Sequence, residues 1–418
     1  MKILWLSNII FPQLCKKIGF PPSVSGGWIQ SGAEALIHQE NDLKLGVVSF
    51  YKGKKLQVFK QFEITYYLVP EHTTRSSVYD HQVEIYLKEV NADFKPNIVH
   101  IHGTEYGHSL AQVKACGSNH TIVSIQGLTS FCKNYYLGGI SKHEVRNNYT
   151  LRDIIKRDSL IAQQKHMAKR GELEIELLKK VHHIIGRTSW DHSCVWSITP
   201  KAKYHFCNET LRNSFYCFKW NYDKCQKHSI FLSQGQYPLK GLHQIIKALP
   251  LILRDYPDTE VFVAGNNFFS SIPFYRKNGY ANYINKLMKE NNVQHKFHFL
   301  GQLSEEKMVE QYLKANVFIC PSAIENSPNS IGEAQLLGTP CIASYVGGIM
   351  DMVHNNETGL LYRFEEIPLL ANHVCKIFSD KILAQRLSVN ERKVAALRHN
   401  KEINASRILE IYKKVAAE

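Results

Sequence analysis

Residues 317–334 read Val317-Phe318-Ile319-Cys320-Pro321-Ser322-Ala323-Ile324-Glu325-Asn326-Ser327-Pro328-Asn329-Ser330-Ile331-Gly332-Glu333-Ala334. The short apolar run Val317–Cys320 predicts a buried strand. Ser327-Pro328 predicts a helix N-cap followed by proline at the first helical position. A strand that passes through a loop into a helix start is where open α/β sheets bind ligands, outside the carboxyl ends of the strands. The amides of Asn329 and Ser330 would lack helical partners and point out of the helix start. Together with the helix dipole they suit a diphosphate. Glu325 falls just before the helix, close to that phosphate position, and Glu333 lies further inside it.

Working outward, short apolar runs alternate with longer periodic segments along the chain, the pattern of βαβ units and a parallel sheet. Ile3–Leu6, Val47–Phe50, Ile98–Ile101, Thr121–Ile125 and His183–Ile185 read as strands, and 170–181 as a helix with Leu173, Leu177, Leu178 and Val181 apolar. The pattern restarts with strands Ser229–Ser233, Glu260–Ala264, Phe297–Leu300, Val317–Cys320 and Pro340–Ser344, and with helices near 240–254, 280–290, 304–314 and 328–337. The strand pattern lapses over 205–228, where basic and aromatic residues gather. The expectation is an α/β protein with a first domain over 1–215, a second over 216–400, and the end of a long last helix (about 382–416) returning to the first domain over 401–418.

Composition agrees. A chain of 418 residues exceeds one ordinary core, and 44% hydrophobic with 21% charged residues excludes disorder. No apolar run approaches the ~20 residues that cross a bilayer, and the opening Met1–Leu6 reads as a first strand rather than a leader, so a cytoplasmic protein is expected. The ten cysteines show no C-x-x-C pair, which favours free thiols over disulfides or metal. The net charge of +14 is uneven: residues 1–200 carry 24 Lys/Arg against 17 Asp/Glu, 201–250 carry 8 against 2, and 251–418 carry 19 against 18. The basic half should attract anionic partners.

The two glutamates separated by seven residues are followed by Leu336-Leu337-Gly338-Thr339-Pro340 and Gly347-Gly348. Together these resemble the donor site of GT-B glycosyltransferases of family 4. The resemblance implies two Rossmann-like domains with their sheets facing a cleft, and a retaining enzyme that moves a sugar from a nucleotide diphosphate. By it, Glu325 would contact hydroxyls of the transferred sugar and Glu333 the nucleotide ribose. Spacing alone would leave the two glutamates as solvated charges; the joint match outweighs that reading. Ser233-Gln234-Gly235-Gln236-Tyr237-Pro238-Leu239-Lys240-Gly241 is similar to the family's Arg…Lys-Gly phosphate clamp. Lys240 matches the lysine, and Gly235 or Gln236 stands where the arginine would be. Proline 328 also replaces a glycine whose amide the family uses. Ser25-Gly26-Gly27-Trp28 matches the glycine-rich loop after the first strand, where Gly27 would allow positive φ and close approach to a phosphate or acceptor.

On the acceptor side, His102 ends a predicted strand and either holds acceptor or donor sugar or simply satisfies nearby backbone. Gln126 stands where relatives place a histidine; it can bond a sugar hydroxyl but cannot act as a base. Residues 133–170 carry nine Lys/Arg and three Asp/Glu with Tyr135, Tyr136 and Tyr149, suited to an anionic bilayer or lipid diphosphate, or to plain solvation. No nucleic-acid motif accompanies the charge. No D-x-D triplet is present, so no metal or other cofactor is expected. The acceptor expected is a surface glycan or its lipid carrier. The alternatives are a sugar-nucleotide epimerase of the same fold and a non-catalytic partner subunit.

Overall fold

The computed structural model describes residues 1–21, 26–40, 42–73, 77–268 and 273–418. Its first sheet holds β1 (Lys2–Ser7), β2 (Lys44–Tyr51), β3 (Gln57–Gln61), β4 (Ile64–Pro70), β5 (Ile98–His102), β6 (Thr121–Ser124), β7 (His183–Gly186) and β8 (Lys203–Phe206). The order is β3-β4-β2-β1-β5-β6-β7-β8. Pairing is parallel except for β3, which runs antiparallel to β4 at the edge. Alternate residues of these strands feed two separate apolar layers. Leu4, Leu6, Val48 and Ile101 enter one, while Ile3, Trp5, Val47 and Ile98 enter the other. With both faces covered, each strand is a nearly continuous apolar run, which is why the runs are legible in sequence. A one-residue slip would exchange the two layers, so the register is well specified.

The second sheet holds β9 (Ser229–Leu232), β10 (Glu260–Val263), β11 (Phe297–Phe299), β12 (Val317–Cys320), β13 (Cys341–Ser344) and β14 (Leu360–Tyr362). Its order is β11-β10-β9-β12-β13-β14, parallel throughout. The chain leaves β9 toward one side and returns at β12 on the other, so the order reverses between these two strands. Such a switch point opens a crevice at the carboxyl ends, into which the loops after β9 and β12 both run. The same reversal lies between β1 and β5 in the first sheet.

The chain groups into two compact units, one of residues 1–133, 166–211 and 399–418, the other of 134–165 and 212–398. This differs from a linear boundary at 215: the segment 134–165 belongs with the second unit. The long last helix expected over 382–416 is two helices, Lys381–Arg398 and Lys401–Ala416. Asn400 breaks it by capping the second, its side chain accepting the Ile403 amide at 2.9 Å. Within the first unit, Trp5 Nε1 donates to the Tyr412 hydroxyl at 2.8 Å, fastening the last helix to β1. Among the described residues no helix is long and apolar enough to cross a membrane.

Candidate functional site

The β9 loop and the β12 loop are stitched to each other. Ala323 N donates to Leu239 O at 2.8 Å, and Gly241, at φ +68°, lies so close to Pro321 that a Cβ would fall 1.7 Å from its carbonyl oxygen. Only glycine fits there. The tight turn Pro238–Lys240 before it aims the Lys240 ammonium at Glu325, with Nζ 2.5 Å from Oε1. Ser322 Oγ donates to the same oxygen at 2.7 Å. The backbone of Glu325 is held as well. Gly348 N donates to its carbonyl at 3.0 Å, and Gly347, at φ +51°, leaves only 2.0 Å between a Cβ and that oxygen. Burial opposes the Lys240 charge, but the Glu325 carboxylate, helped by Tyr237, outweighs it and raises the ammonium above its ordinary range.

The helix after β12 spans Asn329–Leu337, and its N-cap is Pro328, not Ser327. Proline at ψ 122° is still extended, so helical geometry begins one residue later than the sequence suggests. The Pro328 carbonyl takes the amides of Ile331 at 3.0 Å and Gly332 at 3.3 Å. The amides of Asn329 and Ser330 have no partner among the described residues. Two donors therefore remain at the helix start although proline itself offers none.

Glu333, 4% exposed, sits inside this helix with both oxygens engaged. Arg212 Nε and Nη2 donate to them at 2.7 Å each, a bidentate pair, and the guanidinium lies 4.6 Å from the Phe215 ring centre. Burial opposes the Arg212 charge, but the Glu333 carboxylate outweighs it and holds the guanidinium cationic. Arg212 escapes sequence reading because it lies in the segment 205–228, where the strand pattern lapses and it is one basic residue among several. At the position of the family's arginine, Gly235 packs on Leu242 and Gln236 lies against Gly265.

In the first unit, Gly27 is the first residue of helix Gly27–Gln39, and its N-cap Gly26 has φ −89°. The positive φ expected of this pair is not used. Gly26 is small for a steric reason, since a Cβ would come within 2.7 Å of Ile9 Cγ2. Ser25 lies outside the described residues. His102 ends β5 with its ring 4.4 Å from Trp5 and 3.9 Å from His100, and its Nε2 is buried without a partner. Burial first, then His100 and Arg187, push it well below the usual histidine range, so it is neutral. Gln126 is committed: its amide donates to Glu209, which also pairs with Arg187. Trp5, Trp28, His102, Ser124, Arg187 and Asn404 line a cavity of about 50 Å³ there. Next to Gln126, Glu105 accepts the Gly127 amide at 2.9 Å, and burial, reinforced by Glu174, raises its carboxyl to about 7.

Lys240, Glu325, Asn329, Ser330 and Glu333 thus converge in one unit, and His102 and Gln126 gather in the other. Residues 218–394 match the family model described as glycosyl transferases group 1. This region is a group 1 glycosyl transferase domain. A D-inositol 3-phosphate glycosyltransferase of Corynebacterium urealyticum is 27% identical over 180 residues, 42% of this chain and 41% of that protein. The matched region spans less than half the length of the curated relatives. Among solved structures, a sucrose-phosphate synthase from Thermosynechococcus elongatus superposes with TM-score 0.73 at 17% identity, covering 100% of this chain and 99% of that one. HepE of Anabaena, solved with UDP and glucose, gives 0.65 at 14%, covering 99% and 100%. These likenesses establish the GT-B fold, two Rossmann-like α/β domains with parallel sheets.

The group 1 domain includes every one of the five converging residues, while Arg212 lies six residues before its first matched position. Its chemistry is that of an anion site with a built-in counter-charge. Two free amides and one ammonium are at hand, but the ammonium is neutralised by Glu325 until something displaces that carboxylate.

Proposed function

We propose that the chain is a retaining glycosyltransferase that moves a sugar from a nucleotide-diphosphate donor to a glycan or lipid-linked acceptor of surface polysaccharide synthesis, on the cytoplasmic face of an anionic membrane. The observation that carries this reading is the Lys240–Glu325 pair, 2.5 Å apart, beside a helix start with two unpartnered amides. A diphosphate entering against Asn329 and Ser330 would draw the Lys240 ammonium away from Glu325. That exchange frees Glu325 to accept hydroxyls of the sugar, so one carboxylate serves as counter-ion in the empty site and as sugar ligand in the filled one. Glu333, fixed by Arg212, would receive the ribose. As the glycosidic bond to the diphosphate lengthens, negative charge grows on the leaving oxygen, and Lys240 stabilises it most at that moment. The acceptor hydroxyl oxygen bonds to the anomeric carbon on the face the diphosphate leaves, and the leaving oxygen takes its proton, which leaves no role for a protein base.

The test is turnover with a panel of nucleotide sugars, reading nucleoside diphosphate release by chromatography, with and without excess EDTA. Release of diphosphate from at least one donor, unchanged by chelator, is expected. Donor turnover that collapses in EDTA and returns with magnesium would overturn the metal-free reading. Binding without any turnover would favour a non-catalytic partner subunit.

A further inference from the structure

The segment 134–165 carries a short helix, Leu151–Lys156, whose outer face is apolar. Leu151, Ile154 and Ile155 stand 68%, 65% and 72% exposed. Their spacing of three and four puts them on one side of the helix. The opposite side is fastened down. Thr150 caps the helix and donates to Lys277 O at 2.8 Å, Asp153 is buried, and Arg152 pairs with Asp158 at 2.8 Å. The helix therefore cannot roll to hide its apolar face. Exposed cations flank this helix along the chain: Lys142 and Arg146 on the preceding helix, Lys156 and Arg157 at its end. The adjoining turn Phe274–Arg276 adds exposed Tyr275 and Arg276. Of the acidic residues in 141–157, Glu144 alone is exposed, and it is spent in the capping box of Ser141.

We infer that this helix is a docking face for an anionic lipid bilayer, inserting Leu151, Ile154 and Ile155 among the acyl chains while Lys156, Arg157, Arg146 and Lys142 meet the headgroups. Three protruding aliphatic side chains on a fixed convex helix suit a deformable apolar medium, and the surrounding cations select its charge. The inference rests on the proposed membrane-side acceptor and deepens it in two respects. Attachment is apolar as well as electrostatic, and it belongs to the second unit. Arg152, by its pairing with Asp158, is a structural residue and takes no part.

The experiment is co-sedimentation of the full chain with vesicles of phosphatidylglycerol in phosphatidylcholine, and of phosphatidylcholine alone, at 0.15 M salt. Wild type should bind the anionic vesicles and leave the neutral ones. Ile154→Ser with Ile155→Ser should weaken binding at least about tenfold, at the expected scale of burying apolar side chains. Lys156→Gln with Arg157→Gln should weaken it by roughly fivefold per charge, whereas Lys289→Gln with Lys393→Gln, of equal net charge, should leave it unchanged. Ile155→Trp should show a blue-shifted emission on adding anionic vesicles. Absence of vesicle binding, equal binding by the isoleucine variant, equal loss in the control pair, or an unshifted tryptophan each overturns the inference. Self-association of wild type that the isoleucine variant lacks, without vesicle binding, would make this face a protein contact and overturn it too. Donor turnover on a soluble acceptor is read separately, so its absence with vesicle binding intact counts against the enzyme reading alone.

Discussion

At the strand ends of the second unit Lys240 pairs with Glu325 and Arg212 with Glu333, and a pair of backbone amides is left over among the described residues. At the strand ends of the first unit, Arg187 and Glu209 also pair, but what is left over is a neutral His102 nitrogen and a Glu105 carboxyl raised to about 7. One region keeps donors in reserve, aimed by a helix start. The other keeps a neutral histidine nitrogen beside two tryptophans. The first arrangement favours an anion and the second a neutral, hydroxyl-bearing partner, because a buried polar group favours whatever supplies its missing hydrogen bond without adding charge.

The sharpest way to break this comparison is to remove a partner from the most buried pair. Arg212→Ala leaves the Glu333 carboxylate without its counter-ion in an almost closed site, and stability should fall by about 3–5 kcal/mol. Urea denaturation reads this directly. Arg212→Leu combined with Glu333→Leu should recover most of the loss, since no charge is then stranded. If Arg212→Ala is neutral, the pair is not the fixed element described here.

Lys240→Ala tests the second charged pair by rate rather than stability. Turnover should fall by roughly a hundredfold to a thousandfold with much less change in KM, because the lysine matters most when charge grows on the leaving oxygen. Steady-state kinetics with the cognate donor decides the matter. A raised KM with intact kcat would assign Lys240 to ground-state binding and move the catalytic cation elsewhere.

Which of these residues were legible in the sequence follows from how far apart their partners are. Lys240 and Glu325 each stand in a strand–loop–helix stretch that can be read locally, so both are legible in the sequence. Their mutual contact exists only because β9 and β12 are neighbours in the sheet, and that of Arg212 with Glu333, across 121 positions, because the turn Asn213–Tyr216 packs on the helix Asn329–Leu337. The doubly covered strands β1, β2, β5, β9 and β12 announced themselves as apolar runs. The edge strand β3, Gln57-Val58-Phe59-Lys60-Gln61, did not, since an exposed edge imposes no such run. Ile64–Pro70, by contrast, is legible in principle, since Tyr66, Tyr67, Leu68 and Val69 are strong strand formers. Pro328 misled the cap assignment because proline is common at the first helical position yet is equally at ease one residue earlier in extended backbone.

Glu333→Gln sharpens the comparison more gently. It keeps the shape of the Arg212 contact and removes the charge. If Glu333 also receives a ribose, affinity for the cognate nucleoside diphosphate should drop by about tenfold to a hundredfold, the worth of a charge-assisted hydrogen bond. Calorimetry on the folded variant measures it. Unchanged affinity would leave Glu333 as a counter-ion for Arg212 and nothing more.

The smallest expected effect belongs to the first unit and turns on pH. Burial, with Glu174 adding to it, lifts the Glu105 carboxyl from the ordinary carboxylate range to about 7 in the folded chain, against the opposing pull of its backbone hydrogen bonds and Arg170. A raised carboxyl means that the folded state holds its proton more tightly than the unfolded state does. The stabilisation is complete below the unfolded value near pH 4.3 and is lost as pH rises through about 7. Glu105→Gln keeps an oxygen to accept the Gly127 amide and can never ionise. Relative to wild type, the variant should therefore gain about 1–3 kcal/mol between pH 5 and pH 8. Urea midpoints at the two pH values give the difference. Parallel pH curves for wild type and Glu105→Gln would mean that water reaches Glu105 freely, and the first unit's strand ends would then lose the raised carboxyl that separates them from the second's.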